Sequence, residues 1–88
     1  LSPLFSWDDI EAEYEYMMTD YKKALSHLNK SNVNAMNPRE KTQHYYLLGC
    51  VYSELKRVSE AREHFKLVQA LGGSMHQVNL ATQALKKL

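Results

Sequence analysis

Apolar residues recur through the first third of the chain at Trp7, Ile10, Tyr14, Met17, Tyr21, Ala24 and Leu28, in alternating steps of three and four. Steps of that size lay a stripe along one helical face. Ser6 followed by Asp9 has the form of a capping box, which predicts a helix starting at about Trp7. Two arrangements satisfy the stripe: one helix of about 22 residues, or a helical hairpin broken near Thr19 and Asp20. Further along, Tyr45, Leu48, Tyr52 and Leu55 share one helical stripe, and Val58, Ala61, Phe65 and Val68 share another. Val78, Ala81, Leu85 and Leu88 form a last apolar face, with Gln77, Asn79, Thr82, Gln83, Lys86 and Lys87 behind it.

Breaks between these stripes are marked by turn formers. Residues 31–38 contain Ser31, three asparagines and Pro38, which favour turns over helix interiors. Pro38 suits the first turn of a helix over about 38–55, where its missing N–H leaves nothing unpaired. Lys56 and Arg57 predict a tight corner, and Ser59 a cap for a helix over about 59–71. Gly72 and Gly73 predict its end.

An internal repeat bears on the first segment. Tyr21-x2-Ala24-x3-Leu28 returns as Val58-x2-Ala61-x3-Phe65 at a constant offset of 37. That register favours the hairpin over the single helix for residues 7–29, with Ala12 standing where the later segment has Gly49.

Tyr45-x2-Leu48-Gly49-x2-Tyr52 followed by Ala61-x3-Phe65 resembles the tetratricopeptide repeat, whose pattern reads W-x2-L-G-x2-Y and then A-x3-F. Tyr45 stands for the tryptophan, and Glu15 departs from the tyrosine of the pattern in the earlier segment. The resemblance implies an all-α fold of antiparallel helical hairpins, four or five helices in a short right-handed superhelical stack. It divides the 88 residues into a degenerate first repeat (about 7–30), a clear repeat (about 38–73) and a capping helix (about 75–88). The final segment carries neither glycine nor tyrosine of the pattern, which favours a cap over the opening helix of a truncated repeat.

Composition narrows the class. Hydrophobic residues make up 44% and charged residues 24%, an ordinary globular balance. No run approaches the roughly 18 apolar residues of a membrane span. The first residues lack the basic and apolar regions of a signal peptide and contain no methionine, so the chain reads as part of a larger protein. One cysteine, Cys50, cannot form an internal disulfide and suits a reducing, cytosol-facing setting. The net charge of +1 is unevenly spread: six acids precede the first basic residue, Lys22, and eleven Lys/Arg face four acids from residue 21 onward. The basic residues are too dispersed for a nucleic-acid footprint.

Catalytic, cofactor and metal sites find no support. The four histidines lack zinc spacing, Cys50 and His44 do not share a helical face, and no phosphate-binding glycine loop is present. Glu60 and His64, one helical turn apart, read as a surface contact. The resemblance instead implies a non-catalytic protein-interaction module whose first helices line a concave groove. Transferred by register, the groove residues are Gln43, Tyr46, Cys50 and Ser53 in the clear repeat. Ser6, Asp9, Glu13 and Tyr16 stand for them in the degenerate one, and Leu80 and Ala84 close the far side. Asp9 and Glu13 occupy positions where some members of the family use cations and amides to clamp a terminal carboxylate. With Tyr16 and Tyr46 they predict a basic or mixed aromatic peptide as partner. Two other readings stay open: a structural segment that completes its core by self-association or by docking in a larger assembly, and a regulatory segment that senses a peptide.

Overall fold

The computed structural model describes residues 7–72 and 74–88, with Trp7 and Asp8 described by their backbone alone. Five α-helices follow in order: α1 (Trp7–Met17), α2 (Tyr21–Lys30), α3 (Pro38–Glu54), α4 (Val58–Leu71) and α5 (Met75–Lys87), with a 3-10 turn at Val33–Ala35. No strand occurs among the described residues, and none of the helices is long and apolar enough to cross a membrane. The fold is all-α. The α1–α2 and α3–α4 pairs are helical hairpins; α2 packs on α3, and α5 packs on α4 and α3.

Residues 7–30 therefore form two helices. Thr19 lies at φ 64° and Asp20 caps α2, its carboxylate accepting the Lys23 N–H. The same corner recurs 37 residues later, where Lys56 also lies at φ 64°. The amides of Thr19 and Asp20 donate to the carbonyls of Tyr16 and Glu15, and those of Lys56 and Arg57 to Ser53 and Tyr52. Both corners thus close with one hydrogen-bonding pattern, although only the second lies within the clear motif. α4 begins at Val58, one residue before the cap expected at Ser59, and its N-cap Arg57 makes no side-chain cap. Asn37 and Glu40 form a full capping box around Pro38 at the start of α3. Gly72, at φ 79°, ends α4, a backbone conformation that glycine adopts without strain. Ser6 and Gly73 lie outside the described residues.

Two clusters make up the core. Ala12, Ala24, Leu28, Leu47, Leu48 and Val51 join α1, α2 and α3, and Ala61, Phe65, Val68 and Ala81 join α4 and α5. Positions related by 37 are buried in the same way: Ala12 with Gly49, Ala24 with Ala61, Leu28 with Phe65. Gly49 is where α3 and α4 approach most demandingly. A Cβ there would lie 2.6, 2.8 and 2.9 Å from three atoms of the Phe65 ring. Above it, Tyr45 and Tyr52 of α3 hold the His64 ring, with centroids at 6.0 and 5.2 Å. His64 engages the Glu60 backbone and not its side chain: its Nδ1–H donates to the Glu60 carbonyl at 2.7 Å, while the Glu60 carboxylate pairs with Arg57.

Three faces differ from the periodic reading. On α1, Asp9 and Ala12 are buried and Tyr16 is half-buried, whereas Ile10, Tyr14 and Met17 point outward. On α5 the buried residues are Gln77 and Ala81, and Val78 is only half-buried. Gln77 turns inward because its amide donates to Gln43 Oε1 at 2.8 Å across to α3. In the loop, Met36, which follows the 3-10 turn directly, is buried at 5% exposure. Phe65→Ala is expected to lower stability by about 3–5 kcal/mol, and Ala61→Leu by about 1–3 kcal/mol. Urea denaturation of both variants measures this, and unchanged midpoints would contradict the assigned packing.

Candidate functional site

The walls of a cavity are set by one face each of α1, α3 and α5. Cys50 and Tyr46 lie one turn apart on α3, Ser53 and Glu54 continue that face, and Leu80, Ala84 and Lys87 repeat at helical spacing on α5. Together with Tyr16 of α1 they line an open cavity of about 280 Å³, with Phe65 and Leu88 completing its apolar part. The Tyr46 and Phe65 rings meet at 5.7 Å between centroids and 55° between planes, so the packing of α3 on α4 also fixes this wall. Tyr16 is held on the other side by Tyr21, at 5.5 Å and 57°.

The floor is neutral. The Tyr16 and Tyr46 phenols and the Cys50 thiol lie together among its lining groups. Burial pushes the Tyr46 phenol up to about 12, with Cys50 adding to the shift. Tyr16 is raised further, first by burial and then by Cys50, Glu54 and Tyr21. Burial also raises the Cys50 thiol, against the opposing effect of the neighbouring Tyr46 and Tyr16 phenols. At neutral pH the thiol stays protonated, and a protonated thiol is a poor nucleophile. Charge enters only at the sides, as Glu54 on α3 and Lys87 on α5.

Six of the nine described residues expected in the groove therefore share this cavity: Tyr16, Tyr46, Cys50, Ser53, Leu80 and Ala84. Gln43 lies on α3 but is engaged with Gln77, and Glu13 is half-buried on α1; neither is among the lining residues. Asp9 requires a correction. It is 1% exposed, and its Oδ2 lies 2.9 Å from His44 Nδ1, while the Ser31 hydroxyl donates to Oδ1. A carboxylate buried without partners would be strongly unfavourable, so Asp9 faces the partners that α3 and the loop provide. It ties α1 to both and offers no charge to the groove. Here the carboxylate stands between serine and imidazole, the reverse of a nucleophile–base arrangement, in which the imidazole is central.

Glu54 and Lys87 are absent from the groove read from the sequence, yet the register contains them. Glu54 follows Cys50 by four residues on the same face of α3, and Lys87, expected behind the apolar face of α5, lines the cavity because it follows Ala84 by three residues. Among the described residues, no group of three His, Cys, Asp or Glu side chains is placed to hold a metal ion.

No protein-family model, curated protein or solved structure matches the chain.

Since Asp9 is a core residue, Asp9→Ala is expected to leave His44 buried without its carboxylate and to lower stability by about 3–5 kcal/mol. Equilibrium denaturation with Glu13→Ala as control measures the difference; equal, small effects of both substitutions would contradict the buried pairing.

Proposed function

We propose that this protein is a non-catalytic interaction module of tetratricopeptide type, which binds a peptide in the cavity between α1, α3 and α5. The observation that carries the reading is the convergence of Tyr16, Tyr46, Cys50, Ser53, Leu80 and Ala84, from three separate helices, on one open cavity. The motif over residues 45–65 and the matching corners at Thr19 and Lys56 support the repeat assignment.

Chemistry of the wall sets the ligand class. Tyr46, Phe65, Leu80 and Ala84 offer an apolar and aromatic seat for one inserted side chain. The Tyr16, Tyr46 and Ser53 hydroxyls and the amide of Gln83, a further lining residue on α5, supply hydrogen bonds to an extended backbone. Glu54 and Lys87 suit a peptide of mixed charge, with a cation toward α3 and an acid toward α5. The expectation of a basic or mixed aromatic partner rested in part on Asp9, which is buried and takes no part in the wall.

Panning a displayed random-peptide library on the folded domain tests this reading. Enriched peptides should bind with an aromatic or branched side chain as anchor. Ala84→Arg, which fills the cavity from an α5 position that is not fully buried, should weaken them at least about tenfold while circular dichroism stays unchanged. No enrichment, or equal binding to the folded Ala84→Arg variant, would contradict it.

A further inference from the structure

The stripe that α1 leaves exposed has counterparts inside the molecule. Ile10, Tyr14 and Met18 are 45%, 63% and 62% exposed. At the offset of 37 they correspond to Leu47, Val51 and Leu55 of α3. Leu47 and Val51 are buried in one cluster with Ala24 and Leu28 of α2, and Leu55 packs against it. A further shift of 37 from Leu47, Leu48 and Val51 gives Ala84, Leu85 and Leu88 of α5. These pack against the cluster that holds Ala61, Phe65 and Val68 of α4. Each time the face recurs, the helix before it in the chain covers it: α2 lies on α3, and α4 on α5. On α1 no described helix does so.

Single exposed apolar residues are ordinary, but three at positions that pack on α3 mark an unfilled contact. Met17 does not belong to it: it corresponds to Glu54, which is exposed on α3 as Met17 is on α1. Glu11 stands where α3 has Leu48 and reaches His27 of α2 at 3.4 Å, so one position of the face is polar. It shares an open hollow with Tyr14 and Met18. The other end of the molecule differs. Lys86 of α5 stands where α3 has Gly49, the position at which even a Cβ would meet the ring of the following helix. A polar residue there closes the stack at α5, as a terminal helix requires. α1 carries no such closure.

We propose that the Ile10–Tyr14–Met18 face of α1 is the docking seat of a partner protein's amphipathic helix, which lies on α1 as α2 lies on α3. The chemistry of that helix follows from the two that fill the equivalent place. α2 brings Ala24 and Leu28 to its cluster, and α4 brings Ala61 and Phe65. The partner therefore presents a small residue and a large apolar one a turn later. Opposite Glu11 it carries a hydrogen-bond donor in place of an apolar residue. A second copy of this chain has no such ridge free, because that of α2 already lies on α3 and that of α4 on α5. The contact does not rest on peptide binding in the cavity.

A tethered helix of known sequence tests the seat. Leu1 stands 37 residues before Pro38, so residues 20–37 duplicated directly ahead of Leu1 bring a second α2 onto α1 in register. The duplicate should raise the urea midpoint above that of the 88-residue chain. It should also shift the methyl resonances of Ile10 and Met18 and leave that of Met75, 76% exposed on α5, in place. Ala24→Lys/Leu28→Lys made in the duplicate alone should abolish both changes, and so should Tyr14→Lys in the seat. Tyr14 is exposed, and circular dichroism verifies the fold of that variant. A duplicate that leaves the midpoint and the methyl resonances unchanged would overturn the proposal, as would one whose effect survives those substitutions. Sedimentation of the unextended chain adds a further check. Self-association that Tyr14→Lys removes would make a second copy the occupant and would overturn the partner helix.

Discussion

Phe65 lies against the bare Cα of Gly49, and the positions of both walls of the molecule follow from that contact. A side-chain carbon at Gly49 would come within 2.6 Å of the ring, so α3 and α4 keep their spacing only while that position has none. Phe65, 2% exposed, fills the gap that the glycine opens. The same ring meets Tyr46 and lines the cavity. Widening the α3–α4 approach would therefore move Tyr46 relative to α5 and alter the binding wall along with the core. Glycine inside a helix costs about 1 kcal/mol relative to alanine; here the close packing of a large aromatic residue offsets it.

A second constraint attaches the first hairpin. α1 reaches α3 through the buried pair of Asp9 and His44, with Ser31 on the other carboxylate oxygen. The buried apolar side chain that α1 itself brings to the cluster is the small Ala12, set against Ala24, Leu28, Leu47, Leu48 and Val51. An alanine allows close approach and specifies orientation weakly. Directional bonds to a buried carboxylate, which are strongly unfavourable to break singly, supply the orientation. Tyr16 projects toward Cys50 because α1 is held at that angle, and a surface acid at position 9 could not perform this role.

Much of this architecture is legible from residue spacing. The Tyr45–Phe65 motif, the offset of 37, Pro38 and Gly72 locate all but the finest boundaries, because helix periodicity and turn chemistry are local properties. The cavity wall on α3 and α5 is legible for the same reason. What escapes is tertiary. Asp9 reads as a groove acid because its partner, His44, lies 35 residues away. Gln77 reads as surface because its partner, Gln43, lies 34 residues away. The stripe through Ile10, Tyr14 and Met17 reads as core because periodicity detects a face without identifying which side meets the protein. Two helical stripes compete on α1, one apolar and one built from Asp9, Ala12 and Tyr16, and the polar pairing decides between them.

The most direct test is a double-mutant cycle between Gly49→Ala and Phe65→Leu, read by urea denaturation. In the wild-type background, overpacking against the ring, about 1–3 kcal/mol, should outweigh the helix-propensity gain of about 1 kcal/mol, so Gly49→Ala should destabilise. In the Phe65→Leu background the ring is gone and Gly49→Ala should become neutral or stabilising. Effects that add within about 0.5 kcal/mol would show that Gly49 and Phe65 do not set the α3–α4 spacing, and would contradict the account.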